Sequence, residues 1–225
     1  MTEAILHDYW RSSASYRCRI ALNLAEIRYT SVQVDLLSKQ NRLPDHLGRN
    51  PQGLVPVLEI DGHTITQSLA IIEYLDATRG LKFLPKSPIA QAKVRALAYA
   101  IAMEIHPVCN LQVAEFAVEI TGTEESRGRW MQRFMRPGLE AVEKMLSNYS
   151  EGPYACGPSP SLVDLCLVPQ IYNARRWNVK IDDLGKILSA VHACDRHTAF
   201  QTAYPEKPIK TSRNIYPTKM TPLSS

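Results

Sequence analysis

Period-two alternation of apolar residues ends at Ile65, and beyond Pro88 every apolar pattern repeats at helical spacing. This change limits the available folds more than any other feature. Strand signals stop there, so the sheet is expected from the first third of the chain and helix-on-helix packing from the rest. Within the first third, residues 4–9 read as a strand and 17–25 as a helix, with Cys18, Ala21, Leu22 and Ala25 on one face. Residues 29–36 alternate, with Val32, Val34 and Leu36 on one side. Residues 55–60 and 63–65 are two further strands joined by Asp61-Gly62, a strong two-residue hairpin signal. Residues 68–77 come next as a helix with Leu69, Ile72 and Leu75 at helical spacing. The order β-α-β then β-β-α defines an α/β unit.

Residues 79–88 hold Gly80, Pro85 and Pro88 and read as a linker. Helical patterns then cover 89–118, where Pro107 should bend or interrupt the helix, and 125–146, 161–177 and 185–193. The expected organisation is an α/β domain over residues 1–83, an all-α domain over 89–210 and a disordered basic tail over 211–225. A chain of 225 residues with 45% hydrophobic and 21% charged residues has enough apolar surface to fold as two such domains without staples.

The charge balance is 26 Lys+Arg against 22 Asp+Glu, and much of the surplus sits at Lys207, Lys210, Arg213 and Lys219. No basic run is interleaved with aromatics, so nucleic acid is not an expected partner. The longest apolar run, residues 96–103, is far short of the roughly 20 residues of a membrane span. Met1-Thr2-Glu3-Ala4 lacks the pattern of a signal peptide. The five cysteines (Cys18, Cys109, Cys156, Cys166, Cys194) are scattered and form no Cys-x-x-Cys pair. That suits a reducing compartment and fits neither a disulfide framework nor a zinc site. The expectation is a soluble cytoplasmic protein that binds no metal and no membrane.

The sharpest local feature is Tyr9-Trp10-Arg11-Ser12-Ser13-Ala14-Ser15-Tyr16-Arg17, three serines between the first strand and the first helix. Free N–H groups and the positive end of the dipole favour an anion at a helix start, and a serine hydroxyl adds another donor. Together they would stabilise a thiolate. Ser13 or Ser15 reads equally well as a simple N-cap. In Gly53-Leu54-Val55-Pro56-Val57, a proline opens a strand where cis prolines occur, and a cis bond would turn the Val55 backbone outward toward an extended peptide. An ordinary trans proline on an edge strand is the alternative. Gln67-Ser68 opens a helix, with Ser68 as a cap or as a carboxylate donor. Ser161-Leu162-Val163-Asp164 has capping-box spacing, and Arg175-Arg176 ends the same helix. His106 and Asn110 flank the break expected at Pro107.

The stretch Arg11-Ser12-Ser13-Ala14-Ser15-Tyr16-Arg17-Cys18-Arg19-Ile20-Ala21-Leu22 resembles the signature of zeta-class glutathione transferases. Asn50-Pro51-Gln52-Gly53-Leu54-Val55-Pro56, Ile60-Asp61-Gly62-His63-Thr64-Ile65-Thr66-Gln67-Ser68-Leu69-Ala70-Ile71-Ile72-Glu73-Tyr74-Leu75 and Leu162-Val163-Asp164-Leu165-Cys166-Leu167-Val168-Pro169-Gln170 are similar to the same family. The resemblance runs from Ile5 to Tyr204. It implies the glutathione transferase fold, a thioredoxin-like domain joined to an all-helical one, in a homodimer with glutathione as cofactor.

The resemblance also implies roles. Ser12, with Ser13 beside it, would be catalytic and face the glutathione sulfur. Val55, preceding Pro56, would pair through its backbone with the cysteinyl part, and Gln67 and Ser68 would hold the γ-glutamyl end. His106 and Asn110 would approach the tripeptide or the substrate, and Arg11 and Arg176 would receive substrate carboxylates. The family often has cysteine where this chain has Ala14, which puts in doubt any activity needing a protein thiol there.

The implied activity is glutathione-dependent cis–trans isomerisation of a small maleyl diketo acid, maleylacetoacetate to fumarylacetoacetate in tyrosine and phenylalanine breakdown. The alternatives are maleylpyruvate isomerisation in the gentisate pathway and general transfer of glutathione to electrophiles such as α-haloacids. A non-catalytic binding protein on the same fold is a further alternative.

Overall fold

The computed structural model describes residues 4–149 and 152–206, together with the backbone of 214–216. The chain divides into two compact units, Lys82–His197 and the remainder. The first unit opens with β1 (Ala4–Asp8), α1 (Ser13–Leu24) and β2 (Tyr29–Gln33). A 3-10 turn (Gln40–Arg42) and α2 (Pro44–Arg49) lead to β3 (Val57–Ile60), β4 (His63–Thr66) and α3 (Ser68–Arg79). β1 runs parallel to β2, with Leu6 opposite Ser31, and antiparallel to β3, with Leu6 opposite Leu58. Leu6, Ile20, Leu22, Leu58, Ile71, Ile72 and Leu75 are fully buried and form the core between strands, α1 and α3.

The β3–β4 hairpin results from its two turn residues. Asp61 and Gly62 have φ of 53° and 80°, both positive as the favoured two-residue turn requires. β3 starts at Val57 because Pro56 has no N–H to give to a ladder. α1 begins at Ser13, four residues before the helix start read from the sequence, because serine prefers caps and turns and so hides a helix start. α2 carries no apolar period and is not legible in the sequence; Pro44 at its first turn supplies the start.

The second unit contains α4 (Pro88–Tyr99), a π-helical turn (Ala100–Ile105), α5 (His106–Val108) and α6 (Leu111–Thr121). α7 (Glu125–Leu146), α8 (Leu162–Arg176) and α9 (Gly185–Asp195) complete it. The interruption expected at Pro107 is present and begins upstream. Pro107 cannot donate to the carbonyl four residues back, and the His106 N–H instead reaches five back, to Ile101. α7 approaches the π turn closely at Gly138, where a Cβ would stand 2.5 Å from Ile105 Cγ1.

Asp164 secures the start of α8. It is fully buried and accepts from the Ala155 N–H (2.9 Å), the Ser161 N–H (2.8 Å) and the Ser161 hydroxyl (2.7 Å). Burial pushes its carboxyl above the usual carboxylate range against the pull of these bonds. Asp164→Ala leaves three buried donors unmatched and is expected to cost about 3 kcal/mol or more of stability. Urea denaturation of both proteins checks this, and a loss below about 1 kcal/mol would make the box dispensable.

The chain then returns to the first unit. α10 (Thr198–Ala203) packs on α1, and β5 (Asn214–Tyr216) pairs antiparallel with β2, giving the sheet order β4-β3-β1-β2-β5. The sequence places 198–210 in the helical domain by their neighbours. The structure moves Thr198–Ala203 to the α/β unit, because the Ala203 and Ala199 carbonyls accept from Arg19 Nε and Asn23 Nδ2, each at 3.0 Å. The tail expected over 211–225 lies outside the described residues except for β5. Among the described residues, no helix is long and apolar enough to cross a membrane.

Candidate active site

The first cluster forms where β1 ends and α1 begins. Asp8 and Arg19 are both buried, and Arg19 Nη1 lies 2.8 Å from each carboxylate oxygen of Asp8. Arg19 Nη2 donates to the Trp10 carbonyl at 3.0 Å, and the Trp10 N–H donates to Gln33 Oε1 at 3.2 Å. This network fixes the chain direction just before Arg11 and Ser12. The Ser12 N–H then closes a turn onto the Tyr9 carbonyl at 2.8 Å.

Ser12 is the N-cap of α1, its Oγ accepting from the Ser15 N–H at 3.2 Å. The cap is therefore neither Ser13 nor Ser15, the two positions the sequence suggested. A hydroxyl that accepts still has its hydrogen to donate, so capping and anion binding are compatible at Ser12. Ser13 is the buried first residue of the helix, and Arg11 is half-buried over the Tyr9 and Trp10 rings at 5.9 and 5.5 Å.

The second cluster precedes β3. The Val55–Pro56 bond is cis. Three buried side chains hold the loop before it: Asn41 Nδ2 donates to the Gly53 carbonyl at 2.7 Å, while His46 Nε2 and Asn50 Nδ2 donate to the Leu54 carbonyl at 3.0 and 2.9 Å. The Val55 N–H and carbonyl form no hydrogen bond among the described residues.

The third cluster opens α3. Gln67, and not Ser68, occupies the cap, with φ 67° and ψ 114°, a region that residues with a Cβ rarely adopt. Its Nε2 donates to Gln52 Oε1 at 2.8 Å. Ser68 is the first helical residue, and its Oγ accepts from Arg17 Nη1 at 3.2 Å.

Sheet register gathers these clusters. His7 stands opposite Val57, and Val57 opposite Thr66. The segment after β1, the one before β3 and the one after β4 therefore leave the sheet at the same end. Ser12, Ser13, Val55, Pro56, Gln67 and Ser68 come together there despite their separation in sequence. Sequence reasoning missed the residues beneath them: Asp8, Arg17, Arg19, Asn41 and His46. The available signal was two arginines, Arg17 and Arg19, inside a short helix with apolar residues on every side.

The helical unit carries the remaining candidates. His106 and Asn110 flank the break after the π turn, and Trp130 Nε1 holds the end of α5 by donating to the Val108 carbonyl at 2.9 Å. Asn110 occupies the cap of α6 without a side-chain capping bond. Arg176, exposed at the end of α8, lies over the Tyr172 and Trp177 rings at 5.8 Å each, and its Nη1 donates to Asn173 Oδ1 at 3.3 Å.

The protein's own thiols are poor nucleophiles. All five cysteines are free, and only Cys156 is not buried. Burial pushes the Cys109 thiol up to about 11 and Cys156 to about 12, and raises Cys194 further. The site instead offers fittings for a small peptide thiol: a capped helix start for an anionic sulfur, backbone groups at Val55 with no hydrogen bond among the described residues, and a second helix start beside a buried guanidinium.

A mixed sheet with a serine-capped helix after β1 and a cis proline ahead of β3, succeeded by an all-helical unit, defines a glutathione transferase. Residues 3–77 match the N-terminal domain of glutathione S-transferases. The maleylacetoacetate isomerase of Rhizobium meliloti (strain 1021) is 54% identical over 207 residues, covering 91% of this chain and 97% of that protein. A holo maleylpyruvate isomerase, a bacterial zeta-class glutathione S-transferase, superposes with a TM-score of 0.86 at 34% identity, covering 89% of this chain and 96% of that one. The maleylacetoacetate isomerase of Anaeromyxobacter dehalogenans 2CP-1, with glutathione bound, gives 0.80 at 34% identity, covering 90% and 95%. The chain belongs to the zeta-class glutathione transferase family of maleylacetoacetate and maleylpyruvate isomerases.

Proposed function

We propose that the protein is a glutathione-dependent cis–trans isomerase that converts maleylacetoacetate to fumarylacetoacetate. The observation that carries this reading is the convergence of a serine-capped helix start, the unpaired Val55 backbone and the opening of α3 at one end of the sheet. Bound glutathione supplies a thiolate that adds to the conjugated double bond, leaves a single bond free to rotate, and departs afterwards.

The chain's residues do the rest. The Ser12 hydroxyl and the N–H groups at the start of α1, Ser13 included, hold the sulfur as an anion. Val55 pairs with the cysteinyl backbone in the cis conformation ahead of Pro56, and Gln67 and Ser68 receive the γ-glutamyl end. Arg11 binds a substrate carboxylate, and its seat on two aromatic rings limits the side-chain entropy lost on binding. Arg176 is proposed for the second carboxylate, His106 for contacts to tripeptide and substrate, and Asn110 for the tripeptide. We further propose that the enzyme works in the cytoplasm, in keeping with five free cysteines, and as a homodimer, in keeping with its family.

Maleylpyruvate is the second substrate to test, because the maleylpyruvate isomerase above superposes with a TM-score of 0.86. The test tracks ultraviolet absorbance of maleylacetone and of maleylpyruvate with and without glutathione. Appearance of the trans product only when glutathione is present supports the reading. Turnover of neutral aryl halides with no isomerisation would instead make the protein a general transferase. Arg176→Ala is expected to lower kcat/KM by about 10- to 100-fold, the worth of one charge-assisted hydrogen bond. Unchanged kinetics would remove Arg176 from the site.

A further inference from the structure

We propose that Arg17 is the positioning residue for the γ-glutamyl carboxylate of glutathione, directing the Ser68 hydroxyl toward it and supplying the positive charge that it neutralises. This rests on the glutathione reading above and assigns a role to a residue that has none there.

Arg17 and Arg19 stand two apart in α1, and each is 2% exposed. Their surroundings differ sharply. Arg19 meets both oxygens of Asp8 and the carbonyls of Trp10 and Ala203. Arg17 makes one hydrogen bond, from Nη1 to Ser68 Oγ at 3.2 Å, and its Nε and Nη2 are buried with no partner among the described residues. No carboxylate lies within ion-pair distance of it there. A guanidinium does not shed its proton, and burying one without an anion is strongly unfavourable. The arrangement is understandable if the missing anion arrives with a ligand.

Ser68 is where that anion would sit. A hydroxyl has a single hydrogen, and with Arg17 donating to its oxygen the hydrogen is left for another acceptor. Ser68 also opens α3, a 12-residue helix whose cap residue, Gln67, provides no side-chain capping bond. The first N–H groups of α3 and its dipole therefore face the same acceptor. Gln67 itself is held in its rare conformation with its amide bonded to Gln52. Hydroxyl, helix start and buried charge converge on one singly charged oxygen pair. Because Arg17 is shielded from solvent, salt screens its attraction little.

The experiment is calorimetric titration of the wild type, Arg17→Met and Arg17→Lys with two ligands. One is glutathione. The other is 4-aminobutyryl-cysteinyl-glycine, which keeps the amine and thiol and lacks the α-carboxylate. The wild type should prefer glutathione by about 10- to 100-fold. Arg17→Met should bind the analogue as the wild type does and lose that preference, and Arg17→Lys should recover part of it. If Arg17 only supports the fold, the substitution weakens both ligands alike and the preference survives, which overturns the proposal. Equal binding of the two ligands by the wild type overturns it without any variant having to fold. A wild type that binds glutathione but isomerises nothing leaves the Arg17 assignment standing and removes the isomerase reading. A wild type that binds no glutathione at millimolar concentration removes both.

Discussion

Ser12→Ala is expected to lower glutathione-dependent isomerisation by about 100- to 1,000-fold, the usual effect of removing one donor aimed at a developing or resident anion. The same substitution removes the α1 cap formed with the Ser15 N–H, so about 0.5–2 kcal/mol of stability should be lost as well. The two effects separate experimentally. Ultraviolet titration of the bound thiol should show its pKa rising toward that of free glutathione, which a cap acting on stability alone would not produce. Ser12→Thr preserves both the cap and the hydroxyl and should keep most of the activity. Activity of Ser12→Ala within about threefold of wild type would show that the helix start alone suffices and that the hydroxyl is only a cap.

The largest expected stability effect lies one layer below. Arg19→Met should cost about 3–5 kcal/mol, because it leaves the Asp8 carboxylate buried without its guanidinium and frees the Trp10 and Ala203 carbonyls. Arg19→Lys should recover little, since an ammonium cannot span both Asp8 oxygens and two carbonyls at once. Replacing both members, Asp8→Ala with Arg19→Met, should be less damaging than the sum of the single changes. Chemical denaturation monitored by circular dichroism compares the wild type with Asp8→Ala, Arg19→Met, Arg19→Lys and the double variant. Additive losses in the double variant would mean that Asp8 and Arg19 act independently, contrary to their 2.8 Å contacts. Activity should fall with stability in Arg19→Met, because Trp10 directs the chain into Arg11 and Ser12.

Family membership and the likeness of the motifs are legible in the sequence, and so is much of the local architecture. Asp61-Gly62 announces its hairpin because two successive positive φ values are inexpensive only for such residues. Ser161 and Asp164 announce the start of α8 because a capping box closes within four residues. Pro107 announces a break because it lacks a donor, although the widened turn upstream of it is not readable from a missing N–H alone. The serines after β1 show the opposite limit. Their composition signals a helix start and an anion site, but three adjacent hydroxyls cannot declare which one becomes the cap.

What the sequence determined by itself is therefore most of the larger elements, though not α2 or β5, and the residue types available at their ends. Such signals act over two to four residues, through periodicity, caps and turns. The tertiary structure decided which ends meet and what lies beneath them. The pairings of His7 with Val57 and Val57 with Thr66 bring three separate loops to one sheet end. Arg17 reaches Ser68 across 51 positions and Arg19 reaches Ala203 across 184, drawing α10 onto α1 and away from the helical unit to which its sequence neighbours belong. Buried charges seek partners by distance in space, and nothing in a local pattern records how far along the chain the nearest partner will be.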